Sequence, residues 1–209
     1  MIYSHTAMKT YLTCPRQFEA RYILKTWPKF HHTPATRRGN EIHEHLEDAV
    51  NGKRQPPQAV WLPDNLIDKL RTAGARAEVE YTITRDGTPC DRWASDAWLT
   101  GKVDVELVSK ATNQSVVIDW KTGKFYPDPL QADIYAVLQR AVHAPELGVT
   151  FSWVYVDARR TAQEKPDLFA RKRVDAIVNQ IETDEQMAPK PCFACRWCPL
   201  TNCEYNEAT

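Results

Sequence analysis

Two neighbouring stretches alternate between apolar and polar positions and predict a β-hairpin. Leu99, Gly101, Val103, Val105 and Leu107 fall at every second position, a polar turn runs through Lys110 to Gln114, and Ser115-Val-Val-Ile-Asp-Trp-Lys forms the second strand before Gly123 closes it. Elsewhere the spacing becomes helical. Residues 4–25 read as a helix with Ser4 as N-cap, broken at Cys14-Pro15 into a short piece and a longer one with Pro15 in its first turn. A loop from Trp27 to Thr33 leads to a second helix over 34–50, stopped by Asn51-Gly52. After a Pro-rich link at 55–63 come a third helix at 64–74, a strand at 78–84 and a turn at Asp86-Gly87. Residues 128–143 carry an amphipathic stripe of Leu130, Ile134, Val137, Leu138 and Ala141; residues 148–157 form a mostly buried strand, and a last helix covers 165–184. A helix between strands beside a hairpin predicts an α/β fold, a central mixed sheet flanked by helices.

On the hairpin, Asp104 sits mid-strand, while Asp119 and Lys121, two residues apart, share a face of the next strand. Two carboxylates beside water suit a hard cation such as Mg2+ or Mn2+, which polarises a phosphodiester and acidifies a bound water. A lysine beside them can orient or deprotonate that water and offset developing negative charge. On the triplet alone, a surface strand with solvated Asp and Lys is an open alternative.

A chain of 209 residues can bury one good core, and 43% hydrophobic with 26% charged residues is ordinary globular composition. The formal net charge is zero, so contact with a polyanion would need a local basic patch; Arg159, Arg160, Arg171, Lys172 and Arg173 offer one, or simply a solvated face. No apolar run approaches the roughly 20 residues that span a bilayer, and the N-terminus lacks a signal-peptide pattern. A cytoplasmic setting follows, in which six cysteines favour metal ligation over disulfides. Cys192, Cys195, Cys198 and Cys203 fall within twelve positions, a spacing that can wrap one soft metal centre, zinc or an iron–sulfur cluster.

Gly101-x-x-Asp104, then Val116-Val-Ile before Asp119-x-Lys121-Thr-Gly-Lys, then Gln131-x-x-x-Tyr135, closely resembles the RecB-like branch of the PD-(D/E)XK nuclease superfamily, whose relatives include the AddB nuclease domain, phage exonucleases and CRISPR-associated adaptation exonucleases. The resemblance extends from Cys14-Pro-Arg-Gln-Phe and Gly39-x-x-x-His43 to the cysteine tail. It implies a restriction-endonuclease-like core in a single nuclease domain over 1–209, with an iron–sulfur module formed by the Cys14 region and 189–209. It further implies that His43 faces a catalytic metal held by Asp104, Asp119 and the Trp120 carbonyl, with Lys121 at the attacking water. Relatives carry a glutamate in the preceding strand: Glu80 is the closer match, with Glu78 at the same parity. Gln131 and Tyr135 would touch DNA or orient catalytic groups. Cys14, Cys195, Cys198 and Cys203 would hold a 4Fe-4S cluster; the alternative is a self-contained site including Cys192, or zinc.

The activity implied is a Mg2+- or Mn2+-dependent DNA exonuclease acting on single-stranded DNA or duplex ends, in a bacterium or phage-infected cell, with a possible protein partner in recombination or CRISPR adaptation and no membrane contact. A DNA-binding adaptor with a vestigial site, or a zinc-stabilised interaction protein, are the alternatives.

Overall fold

In the computed structural model, residues 1–28 and 33–206 are described; part of the loop between Trp27 and Thr33 and the last three residues of the cysteine tail lie outside them. The described chain forms two compact units, one of residues 1–2 and 33–172, the other of residues 3–28 and 173–206.

The first unit is built on a five-stranded sheet in the order β1 (Arg76–Thr84), β2 (Ala97–Ser109), β3 (Gln114–Lys121), β4 (Gly148–Tyr155), β5 (Arg160–Glu164). β3 and β4 are parallel and every other pair antiparallel, so the sheet is mixed. The hairpin forms because both strands alternate: β3 sends Ile118 and Trp120 to one face and Asp119 to the other.

Helix α3 (Pro34–Val50) starts where Thr33 accepts a hydrogen bond from Thr36 N at 3.2 Å and Pro34 opens the first turn. With α4 (Leu66–Thr72) it covers the first face, where Ile42, Leu46, Val105, Ile118, Trp120 and Val154 pack together. The parallel crossover helix α5 (Pro129–Val142), capped by Asp128, covers the other. Its buried surface is wider than the predicted stripe: every residue from Gln131 to Gln139 is buried, polar Gln131, Asp133 and Gln139 included. β5 has no apolar alternation to announce it; as a largely exposed edge strand it needs none.

In the second unit, α1 (His5–Thr13) is capped by Ser4, and α2 (Pro15–Phe18) runs into one π-helical turn, so the break at Cys14-Pro15 falls where proline requires it. Tyr11 Oη donates to Asp184 Oδ2 at 2.9 Å at the end of α6 (Ala170–Thr183), and Lys190 Nζ donates to Leu12 O at 3.1 Å, which ties the two ends of the chain together. α6 begins five residues later than predicted, because β5 runs to Glu164 and Pro166 follows.

Candidate active site

Glycine spacing in α3 sets the first part of the site. A Cβ on Gly39 would stand 3.1 Å from Thr122 Oγ1, so the helix passes close to the turn after β3, and His43 follows one turn later. His43 Nδ1 lies 3.4 Å from Asp104 Oδ2, and that oxygen accepts the Trp120 backbone N–H at 2.7 Å. Glu78 stands beside them, between the register pairs Ala77↔Val105 and Val79↔Val103 and therefore across from Asp104. Its φ of 56° is a left-handed conformation rare outside glycine. One ligand atom each from His43, Glu78 and Asp104 lie within 4.8 Å of one another, the only such group of three among the described residues. They line an open recess of about 510 Å³, and Lys102, at its edge, pairs with Glu78.

Asp119 and Lys121 stand behind this group. Asp119 is 8% exposed; its Oδ1 accepts from Gln131 Nε2 at 2.6 Å. The orientation of that amide follows from Trp153, whose indole N–H donates to Gln131 Oε1 at 3.0 Å. Asp119 Oδ2 is 2.7 Å from Lys121 Nζ, yet it is buried and takes part in no hydrogen bond of good geometry, so a lone pair is left for another partner. Burial pushes the Asp119 carboxyl up and Asp104 adds to this, while Lys121 and the Gln131 amide pull it back; the net shift is upward. Burial alone would lower His43, but the Asp104 hydrogen bond and the charges of Asp104 and Asp119 raise it overall. Both aspartates and Lys121 thus act on one imidazole.

Tyr135 Oη donates to Lys102 O at 2.7 Å and its ring stacks on Phe151 at 5.4 Å, so α5 grips β2 two residues before Asp104. A Cβ at position 101 would come 2.8 Å from Leu138 Cδ1 and 2.9 Å from Tyr135 Cε1, which explains the glycine in Gly101-x-x-Asp104. Burial, with Asp119 and Asp104 adding to it, holds the Tyr135 phenol well above its usual range, so it stays protonated as a donor.

The structure brings together His43, Asp104, Asp119, Lys121, Gln131 and Tyr135. Trp120 joins them through its backbone N–H, its ring being buried in the core. Glu80 is not brought in: it pairs with Arg92 and lines a different recess with Trp93, and Glu78 occupies the place expected of it. Strand parity allowed either residue; the left-handed turn at Glu78, invisible in the pattern, decides.

In the second unit Cys14, Cys195, Cys198 and Cys203 line one small recess; Cys192 does not. Lys190 N donates to Cys14 Sγ at 3.4 Å and Cys192 N to Cys195 Sγ at 3.3 Å. Burial raises the Cys198 thiol, with the neighbouring cysteines adding to it. Among the described residues no three sulfurs converge as the His43 group does, and all six cysteines are free thiols.

Residues 2–203 match the family described as the PD-(D/E)XK nuclease superfamily. No curated protein matches the chain. A solved crystal structure of SSO0001 is similar at 20% identity over 94% of this chain and 82% of that one, with a TM-score of 0.48, too low to bear on the assignment. No helix among the described residues is long and apolar enough to cross a membrane.

Proposed function

The chain belongs to the PD-(D/E)XK nuclease superfamily, whose members hydrolyse phosphodiesters with divalent metal, and we propose that it is a Mg2+- or Mn2+-dependent DNA exonuclease acting on single-stranded DNA or duplex ends. The observation that carries the reading is the buried, incompletely bonded Oδ2 of Asp119 beside Lys121, behind the convergent His43, Glu78 and Asp104. A donor set of carboxylate oxygens and one imidazole fits a hard divalent ion.

Asp104 and Asp119 would hold the ion, with His43, Glu78 and the Trp120 carbonyl completing the protein's share. When bound, the ion supplies charge stabilisation at the phosphate and lowers the pKa of a bound water. Lys121 orients the attacking water and meets the charge that grows on the non-bridging oxygens. Gln131, fixed by Trp153, holds Asp119 in one rotamer, and Tyr135 holds the Asp104 strand by its backbone. Glu80 has no part in this reading.

The finer placement, in the RecB-like branch with an AddB-type cysteine module, rests on the sequence motifs and on the shared recess of Cys14, Cys195, Cys198 and Cys203. The second unit would then be the cluster module and the first the catalytic body. A cytoplasmic role in recombination, repair or CRISPR adaptation, with a protein partner there, accords with these motifs.

The test is degradation of single- and double-stranded DNA, labelled separately at each end, by wild type and Lys121→Ala with Mn2+, Mg2+ or EDTA. Metal-dependent shortening from one end by wild type and none by the variant is expected. Inertness of both in a protein that still binds DNA would establish the adaptor reading. Iron content with broad visible absorbance is expected of the freshly purified protein; zinc without iron would overturn the cluster.

A further inference from the structure

The open recess around His43, Glu78 and Asp104 is acidic. Glu44 and Glu47 border it as well, and among its described lining residues Lys102 is the one lysine or arginine. A polyanion must nevertheless bring a phosphate there. Lys102 lies two residues before Asp104 on β2 and stands directly across from Glu80 in the β1–β2 register. Glu80 is taken by Arg92, and the Lys102 ammonium reaches diagonally to Glu78 instead, one of the three groups that converge as metal ligands.

The backbone of Lys102 is fixed and its head is not. Its carbonyl accepts Tyr135 Oη at 2.7 Å, which pins the strand, whereas its side chain is 55% exposed. The hydrogen bond to Glu78 raises the pKa of the ammonium, and the charges of Glu78, Glu47 and Asp104 add to this against the opposing effect of burial, so the group stays charged. An exposed ion pair is weak and readily exchanged, and a lysine head is a compact cation on a flexible stem. A carboxylate oxygen that faces an ammonium is not at the same time open to a metal ion. Glu78 therefore has two suitors, and the one it loses is left beside any phosphate in the recess.

We propose that Lys102 is a competitor for the metal site built into the recess: its ammonium holds Glu78 until a divalent ion takes that carboxylate, and then turns to a non-bridging oxygen of the DNA backbone. This role rests on the nuclease reading, which supplies the ion and the phosphate. It also couples the two ligands. Metal releases the one lysine of an acidic recess to the DNA, and DNA draws that lysine away from Glu78, so each ligand favours the other by the same factor.

Calorimetric Mn2+ titration without DNA reads the competition in wild type, Lys102→Met, Lys102→Gln and Lys102→Arg. Both neutral variants are expected to bind Mn2+ about threefold to fivefold more tightly than wild type, and Lys102→Arg as wild type does. In a Glu78→Gln background the gain from Lys102→Met is expected to vanish. The phosphate contact is read from the salt dependence of binding to a labelled oligothymidylate, by fluorescence anisotropy, in a Lys121→Ala background that leaves the strand uncut. On adding Lys102→Met, the slope of log affinity against log salt is expected to shrink by about 0.7 with Mn2+ and not to change in EDTA. The proposal is overturned if the neutral variants bind Mn2+ no more tightly than wild type, if their gain persists without Glu78, or if the slope shrinks in EDTA as well or in neither condition. If wild type cleaves DNA with Mn2+ while these tests fail, the nuclease reading stands without this role for Lys102; if the Lys102 effects appear in a protein that cuts no DNA, the nuclease reading fails and the competition stands.

Discussion

Two buried carboxylates in the same sheet live under opposite conditions. Glu106, 1% exposed on β2, accepts from Arg76 Nε at 2.8 Å and from Gln139 Nε2 at 2.7 Å, is further bonded by Tyr81, and has His143 Nε2 at 3.7 Å; Ser115 in turn donates to Gln139 at 2.8 Å. Asp119, one strand away, has a single good hydrogen bond and an ion pair with Lys121. Burial pushes both carboxyls up, but the partners of Glu106 outweigh it and bring the net shift down, whereas those of Asp119 do not. A buried acid with every lone pair met is part of the scaffold; one left partly unmet is held ready for something the protein does not itself contain.

The sharpest way to break this comparison is to neutralise each acid in turn. Asp119→Asn should lower metal-dependent cleavage by about 10²–10⁴-fold, as should Lys121→Ala, while leaving the melting temperature unchanged or slightly raised, since a desolvated charge is removed. Glu106→Gln should do the reverse: activity retained at permissive temperature and stability lowered by about 1–3 kcal/mol, because the remaining network loses its acceptor. Thermal melts and end-labelled cleavage on the three variants check this; loss of stability in Asp119→Asn with activity intact would invert the assignment.

A smaller effect separates the two neighbouring glutamates of β1. Glu78→Gln should weaken Mn2+ binding about tenfold, or about 1.4 kcal/mol, and Glu80→Gln should leave it unchanged, because only Glu78 shares a recess with His43 and Asp104. Calorimetric Mn2+ titration reads this directly. Equal effects would mean that the left-handed turn at Glu78 does not select between them.

The same contrast marks what the pattern of residues can and cannot announce. Helix α3 was legible to the residue, because Thr33, Pro34 and Asn51-Gly52 are local start and stop signals. The hairpin was legible because a period of two leaves little freedom of register. Both put His43, Asp104, Asp119 and Lys121 on the right elements. Glu78 was confused with Glu80 because one backbone angle, with no compositional cue, chose between them. The Trp153–Gln131–Asp119 relay spans 22 residues and then 12, and no local spacing predicts who will meet across a crossover helix. β5 escaped because Arg160-Thr-Ala-Gln-Glu is a polar edge, strand only by virtue of its neighbour. The Glu106 network was invisible for a related reason: Arg76 and Tyr81 come from β1 and Gln139 and His143 from α5 and its end, so its members meet only across the fold.

Acidification should separate the two carboxylates in time, as function lost before fold. The ordinary pKa of His is about 6.5, of Glu about 4.3 and of Asp about 3.9. His43 is raised, so it takes up a proton as pH falls through a value above 6.5 and repels a cation. Asp119 is also raised, so above its folded pKa it carries a cost relative to the unfolded chain, and that cost is relieved as pH falls towards about 3.9. Protonating it removes a metal ligand and does not weaken the fold. Glu106 is lowered; its stabilisation is fully present above about 4.3 and is lost only as pH falls towards its folded value. Mn2+ affinity should therefore fall in two steps between neutral pH and about 4 while the melting temperature holds, and the melting temperature should drop only below that. Asp119→Asn should keep the His43 step and lose the second, and Glu106→Gln should flatten the acid limb of the stability curve. Calorimetry and circular-dichroism melts across the range decide the matter: if stability and Mn2+ binding fail together at one pH in wild type, the two acids are not playing the separate parts that their surroundings assign them.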